Sequence, residues 1–565
     1  MIRQHLPLIL NQAHNTFVIL MEMERVISDV IKTLYDIDQQ VALTRPEPQF
    51  GDYASNVALQ LAKQVGDNPR RVAERIAEKL AETGEYETVS VAGPGFINIR
   101  LKAEDLLALT RKYPTPTRAG KTEVIETNNP NPFKPMHIGH AYNAVLADTM
   151  ANLLAVSGAD VKRVSYHGDV GAHVGKSMWA LLRYCDGDAS KLEAISENER
   201  NEFMGKMYAE GAKAARDDET AKAEIEELAK QSFKREDSLY AKVYDIVFDW
   251  SFREIDKTVA RLGNVQIERR YFESEADPIG VEAVRNNVPN VFQESGGALV
   301  FEGSKHGGFD NVFVGSNGQG LYAARDLGLI QLKVKDYPDM NESIIVTGSE
   351  QAAYFKTVTA AAELALPELK GKIKNYPTGL VKLSTGKMSS RTGDVVTIGW
   401  LFDEFSKAIE ARGGEADEEI VAGALRYQFL KVKIGSDVIF DVNEAVSLTG
   451  NTGSYLQYAH ARASRILEKV EGSFAMPAEV RSEDRALVRK MGEYHEIIEL
   501  ATRSLEPHHI CTYLFELAQE FNRYYEVNQV IGSDWELHRT GLVALYADIL
   551  RAGLAVLGIH APEKM

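Results

Sequence analysis

Apolar residues recur at helical spacing through Val26, Ile27, Val30, Ile31 and Leu34, which predicts a helix starting near Met21 or Met23. After the turn-rich Arg45-Pro46-Glu47-Pro48, the segment Phe50–Asn56 leads into a second helix carrying Val57, Leu59, Leu61 and Ala62. A third helix spans Val72 to Leu80. The alternating run Val89–Ile99 reads as strand folded about Gly93-Pro94-Gly95. Helices mixed with short strands make a small α/β module, and Pro114 and Pro116 mark the linker that follows it.

Thr122–Thr127 reads as a buried strand that breaks at Asn128-Asn129-Pro130-Asn131-Pro132-Phe133-Lys134-Pro135. A long helix follows, with Ile138, Val145, Leu146, Met150, Leu153 and Leu154 on one stripe, ending before Gly158. Val161–Tyr166 is a further strand, closed by Gly168-Asp169-Val170-Gly171. Strand, loop, helix, strand predicts a parallel, Rossmann-type sheet with a right-handed crossover. Between about 186 and 240 the chain turns to polar, Glu/Lys/Ala-rich helices, an insertion that we place at about 186–290. Strand-like segments return at Ala298–Phe301, Val312–Val314 and Ile344–Val346, and from about 405 the pattern is almost wholly helical.

Length and composition narrow the class. At 565 residues the chain exceeds one hydrophobic core, so about three or four domains are expected. No stretch approaches the ~18 uninterrupted apolar residues of a membrane span. Only two cysteines occur, Cys185 and Cys511, which excludes a disulfide scaffold and a cysteine zinc site and fits a reducing cytoplasm. A net charge of −17 argues against non-specific nucleic-acid binding yet leaves room for a specific RNA partner in a local basic groove. Residues Met1–Leu20 lack the continuous apolar core of a signal peptide and read as an extension ahead of the first helix.

The chemistry concentrates in two places. In His137-Ile138-Gly139-His140, two histidines three apart sit at a helix N-terminus, beside backbone N–H groups suited to phosphate. Gly139 leaves room for an adenine ring to approach the backbone, and Pro135 suits an N-terminal turn. Taken alone, the motif also fits half a metal site, ordinary polar packing, or a small nucleotidyltransferase. The second place is Lys387-Met388-Ser389-Ser390-Arg391-Thr392-Gly393, following the strand-like Gly379–Leu383. A polar loop with cations at two positions can close over a pyrophosphate and stabilise transition-state charge. A solvated charged turn is the plain alternative, but its co-occurrence with the first motif, in order and roughly 250 residues downstream, disfavours it.

Together the two motifs resemble the HIGH and KMSKS signatures of class I aminoacyl-tRNA synthetases. The surrounding segments are similar to the arginine enzymes of that class: Glu126 to His140, Leu321-Tyr322-Ala323-Ala324-Arg325-Asp326, Gly450 to Arg462, and the ending Leu557 to Met565. The resemblance runs from about residue 25 to the C-terminus. Two departures stand out. Ser390 replaces the second lysine of KMSKS, for which Lys134, just upstream of the first motif, is expected to compensate as in many arginine enzymes. Val170 stands where tryptophan is usual.

The resemblance implies arginine activation by Mg²⁺-ATP, without zinc, and transfer of the arginyl group to an arginine tRNA, in a cytoplasmic monomer with no membrane contact. It assigns His137, His140, Lys134 and Lys387 to the phosphate chemistry, and Gly139 with Met388, Ser389 and Ser390 to ATP. Tyr322 and Asp326, one helical turn apart, would line a guanidinium pocket with Glu126 as a second carboxylate; an exposed polar face is their plainer reading. Asn131 and Gln351 would hold the α-amino and carboxylate groups. Phe96 and Asn98 would meet the tRNA elbow, and Tyr455 and Tyr458 the anticodon bases, with core packing an equal alternative for the tyrosines. The expected division is an extension at 1–22, an elbow-binding domain at 23–112, a catalytic domain at 113–400, a stem-contact linker at 401–445 and a helical anticodon-binding domain at 446–565. Rival readings are another class I synthetase, such as the cysteine or glutamine enzyme, or a catalytically silent RNA-binding relative. Missing zinc-ligand cysteines oppose the cysteine enzyme, and the intact His137, His140, Lys134 and Lys387 oppose the silent one.

Overall fold

The computed structural model describes residues 19–384, 396–470, 477 and 479–565. The N-terminal module holds helices α1 (Ile19–Tyr35), α2 (Val57–Val65), α3 (Pro69–Glu82) and α4 (Ala103–Leu109). Its strands β1 (Tyr53–Ser55), β2 (Thr88–Ala92) and β3 (Phe96–Arg100) form an antiparallel sheet in the order β1-β3-β2. The turn expected at Gly93-Pro94-Gly95 joins β2 to β3, with Ala92 opposite Phe96.

At the centre lies a five-stranded parallel sheet built from β4 (Thr122–Glu126), β5 (Asp160–His167), β6 (Arg269–Phe272), β10 (Met340–Gly348) and β11 (Ile373–Thr378). Its order is β11-β10-β4-β5-β6. From β4 the chain moves outward to β5 and β6, then returns to the other side of β4 for β10 and β11. A ligand crevice is expected where such an order reverses, at the carboxyl ends of the strands. Three segments read as strand from the sequence go elsewhere. Ala298–Phe301 and Val312–Val314 lie in β8 (Ala298–Phe301) and β9 (Asn311–Val314), which form a separate antiparallel sheet with β7 (Gln293–Ser295). The strand β12 (Val381–Leu383) pairs in parallel with β13 (Val438–Phe440).

Helix α5 (Ile138–Val156) crosses from β4 to β5. Its apolar positions pointed to one stripe, but the helix is buried nearly all round, Asp148, Thr149 and Asn152 included. Those polar side chains survive burial because each has a partner, as buried polar groups require. Asp148 Oδ2 and Thr149 Oγ1 accept from Arg426 Nη2 at 3.0 and 3.2 Å, and Asn152 Oδ1 accepts from Arg163 at 2.7 Å. Arg426 is itself fully buried and donates further to the carbonyls of Leu557 and Leu262, both at 2.9 Å, and to Asn264.

Helix α6 (Ala172–Cys185), α7 (Glu197–Asp217), α8 (Glu219–Lys234) and α9 (Ser238–Arg261) follow β5, so the polar region after 186 is helical as expected. They enclose their own apolar cluster, which includes Phe133, Met178, Leu181, Tyr244 and Trp250. Helices α10 (Glu273–Asn286), α11 (Tyr322–Asp336) and α12 (Ala352–Ala365) cover the β6 and β10 side. Gly280 and Gly328 let α10 and α11 touch: a Cβ on Gly280 would meet the Ala324 carbonyl at 1.8 Å. The remainder is helical apart from β13: α13 (Ile398–Glu410), α14 (Glu418–Leu430), α15 (Val442–Ala445), α16 (Gly453–Leu467), α17 (Arg485–Met491), α18 (Tyr494–Ser504), α19 (His508–Val527) and α20 (Glu536–Val556). The N-terminal module is tied to this unit by ion pairs, Arg45 to Glu496 at 2.7 Å and Asp52 to Arg485. Among the described residues no helix is long and apolar enough to cross a membrane.

Candidate active site

Four strands deliver their carboxyl ends to one crevice. β4 ends at Glu126, β5 runs into Gly168, β6 into Glu273, and β10 into the single turn Ser349–Gln351. The loop after β4 carries Asn131 and Lys134 to the start of α5. At its centre Phe133 holds a left-handed backbone, φ 65°, a strained state for a bulky residue. Ser251 accepts from its N–H at 3.0 Å, Ser177 donates to its carbonyl at 2.7 Å, and the ring is buried, so the conformation is fixed from three sides.

The two signature histidines stack, ring centroids 3.7 Å apart. Nδ1 of His137 accepts from the Gly139 N–H at 3.2 Å, and Nδ1 of His140 from the His137 N–H at 3.3 Å. With Nδ1 an acceptor in both rings, each neutral imidazole carries its proton on Nε2. Burial, reinforced by the nearby Lys134 cation, pushes His137 down to about 4; burial, His137 and Lys134 hold His140 well below the ordinary histidine value. Both therefore remain neutral donors at pH 7. A Cβ on Gly139 would come within 3.1 Å of the His137 ring, so the glycine also makes room for the stacked pair.

Lys134 is partly buried and has no hydrogen bond or ion pair with a carboxylate among the described residues. Burial lowers its pKa, opposed by Glu273. Beside it opens a cleft of mixed charge, lined by Arg200, Arg253 and Lys257 together with Glu197, Glu254 and Trp250. The other expected cation, Lys387, lies outside the described residues together with Met388, Ser389 and Ser390. β12 precedes that loop, and beyond it the Val396 carbonyl accepts from the Ile138 N–H at 3.1 Å while Thr397 bridges His137.

The opposite wall is acidic. Arg325 bonds Glu273 at 2.9 Å and Asp277 at 3.0 Å, which fixes both carboxylates where α10 and α11 touch. Asp326 is partly buried and accepts a hydrogen bond from the Tyr354 hydroxyl. Its pKa rises to about 7, mainly through burial, with the Tyr354 bond opposing and Glu273 and Glu126 adding to the rise. Tyr322 opens α11 and is 61% exposed, so the helix turn pairs an accessible tyrosine with a recessed carboxylate. Gln351 is exposed, and Asn131 Oδ1 accepts from the Gly168 N–H at 2.8 Å, leaving its amide N–H groups for a ligand.

Glu126, the expected second carboxylate, already has internal partners. Burial at the strand end puts it beneath α11, where Oε1 accepts from the fully buried Lys333 and Oε2 from Asn129. Lys333, Asn129, Tyr354, Glu273 and Arg325 were missed as site residues. One signal existed: Lys333 follows Asp326 by two helical turns on an otherwise apolar face.

The residues expected to meet tRNA divide by exposure. Phe96 and Tyr458 are exposed, 41% and 37%, whereas Asn98 is buried. The Tyr455 hydroxyl accepts from Asn522 at 2.7 Å and its ring meets Phe515, as packing would have it.

Comparison with known proteins gives family matches over most of the chain. Residues 21–101 match the arginyl tRNA synthetase N-terminal domain, 102–441 the class I (R) tRNA synthetase catalytic domain, and 456–565 the DALR anticodon binding domain. The arginine–tRNA ligase of Clostridium acetobutylicum is 30% identical, over 96% of this chain and all of the relative. That of a Synechococcus strain is 31% identical, over 92% of this chain and 94% of its own. The solved arginyl-tRNA synthetase of Thermus thermophilus superposes with a TM-score of 0.80 at 25% identity, covering 96% of this chain and 100% of that one. The Plasmodium falciparum structure shares the fold, with a TM-score of 0.77 at 19% identity over 97% and 99%. With a parallel sheet opening on the HIGH histidines, a helical C-terminal unit and a match to the catalytic model over more than half its length, the chain belongs to the arginyl-tRNA synthetases, class I ligases of arginine to tRNA.

Proposed function

We propose that the two walls of the crevice divide arginine activation between them. The arginine carboxylate attacks the α-phosphate of Mg²⁺-ATP, giving arginyl-adenylate and pyrophosphate. A ribose hydroxyl of the tRNA's terminal adenosine then takes the arginyl group and releases AMP. Positioning and charge stabilisation supply the catalysis, with no covalent nucleophile on the enzyme. His137 and His140 donate from Nε2 to the phosphate as charge builds, Gly139 faces the adenine, and Lys134 neutralises pyrophosphate where Ser390 cannot. Lys387, with Met388, Ser389 and Ser390, completes the phosphate clamp.

On the other wall Asp326 receives the guanidinium, with Tyr322 closing over it; Glu126, neutralised by Lys333, forms the floor. The observation that carries this reading is the recessed Asp326 carboxylate beside the exposed Tyr322. Asn131 donates to the arginine carboxylate and Gln351 binds the α-amino group. Phe96 and Tyr458, the exposed pair, stack on unpaired tRNA bases. The N-terminal module to about residue 112 would meet the elbow, and the helices from about 446 the anticodon.

ATP–pyrophosphate exchange in the presence of tRNA, run with each of the twenty amino acids, tests the substrate. Arginine alone should support exchange. Asp326→Asn should lower kcat/KM for arginine about 100-fold, the scale of removing one partner of a buried charge pair. An unchanged arginine kcat/KM in that variant would remove Asp326 from the guanidinium pocket.

A further inference from the structure

Asp326 does not choose its own orientation. From α12, Tyr354 turns its hydroxyl toward this carboxylate and donates to Oδ2, the one hydrogen bond that Asp326 receives among the described residues. The Tyr354 ring lies edge-on to Phe355, centroids 5.3 Å apart, and packs against the apolar cluster beneath α10 and α11. Its donor is thus held by a rigid neighbour on a separate helix.

The rest of the surroundings make that donor necessary. Asp326 is faced by Glu273 from α10, Glu126 from β4, Lys333 on its own helix and Tyr166 from β5. Lys333 is committed to Glu126, and Arg325 next door to Glu273 and Asp277. The Tyr166 hydroxyl is buried with no hydrogen-bond partner among the described residues. A carboxyl group in this company favours its protonated form, which cannot accept a guanidinium fork with both oxygens. Tyr354 stays protonated, because burial and Asp326 raise its own pKa, so its O–H remains available to donate to the carboxylate.

We infer that Tyr354 is a positioning residue for the amino acid substrate: its hydroxyl fixes Oδ2 of Asp326, favours the ionised carboxylate and leaves Oδ1 to meet the guanidinium. The inference rests on the assignment of Asp326 to the guanidinium pocket. The ring shields the carboxylate from water while the hydroxyl keeps it charged. Phenylalanine would preserve the first contribution and remove the second.

The test is Tyr354→Phe in the full chain, assayed by aminoacylation from pH 6 to 8.5 with arginine and ATP varied separately. At pH 7 the arginine KM should rise about tenfold, the scale of a hydrogen bond to a charged group. The kcat and the ATP KM should stay within about twofold. The acidic limb of arginine kcat/KM should move to higher pH, because a contact that favours the carboxylate is gone. An arginine KM and acidic limb like the parent's, or equal losses in arginine and ATP KM, would overturn the inference. Asp326→Asn separates the two claims. If it also leaves arginine KM unchanged, the pocket assignment fails; if it raises KM and Tyr354→Phe does not, the positioning role alone fails. Equal thermal midpoints for Tyr354→Phe and the parent confirm that the comparison is between folded proteins.

Discussion

On the wall that follows β4 stand Asn131, two neutral imidazoles and Lys134, which has no carboxylate ion partner among the described residues. Across the crevice, α10 and α11 present Glu273, Asp277 and Asp326, and the cations among them, Arg325 and Lys333, are consumed by internal pairs. One wall offers donors and positive charge; the other has unspent negative charge. The substrates differ in the same sense, a polyphosphate and a guanidinium. In a low-dielectric cleft, mixing the two sets of charges would let them satisfy one another before a ligand arrived. Separating them keeps each available.

Lys134→Ala should break the comparison most severely. Loss of the free cation should lower the activation rate about 100- to 1000-fold, as for removal of one preorganised donor, while arginine KM holds within about twofold. Single-turnover adenylate formation measures this, and an unchanged rate would show that Lys134 does not stand in for the missing lysine at Ser390.

Lys333→Met tests whether the internal pairs really spend the cations. Removing it leaves Glu126 buried and uncompensated, at a cost of about 3 kcal/mol or more. The apparent melting temperature should fall by several degrees, and Glu126→Gln added to Lys333→Met should recover most of the loss. Equal melting temperatures for the single variant and the parent would mean that the Lys333–Glu126 pair contributes nothing to stability.

The mildest probe is pH. Asp326 titrates at about 7 and must be ionised to hold a guanidinium, so its binding form is lost as pH falls through that value. Arginine KM should rise about tenfold from pH 8 to pH 6. His137, at about 4, and His140, lower than its ordinary value, stay neutral throughout, so they should add no titration to ATP KM. A parallel pH dependence of both KM values would blur the two walls into one.

Legibility from sequence followed the range of the interactions. The strand, loop and helix from Thr122 to Val156 were readable because hydrophobic runs and turn residues are local signals. β6 went unnoticed: Arg269-Arg270-Tyr271-Phe272 is a short, charged edge strand. The burial of α5 nearly all round was hidden by Asp148 and Asn152, whose partners lie outside the helix, on Arg426 and Arg163. The same holds for Glu126, whose Lys333 partner is 207 residues on. A carboxylate can be read as a ligand from its motif; whether it is already spoken for is a tertiary fact. The helical signature histidines escaped this problem, since each is oriented by a backbone N–H within three residues.

Arg426 sets a limit on how this protein can be taken apart. The same guanidinium that holds Asp148 and Thr149, midway along the catalytic helix, also grips the carbonyl of Leu557 near the end of the chain. The following residue, Gly558, has a φ of +69°, and a Cβ there would come 2.2 Å from Arg426 Nη2. The C-terminal helical unit is therefore not an interchangeable cassette. A graft from a relative would need a compatible glycine and carbonyl at this one joint, or it would unseat the helix that begins with His137. The joint between the helical unit and the parallel-sheet unit is thus one hydrogen-bonded keystone that both share.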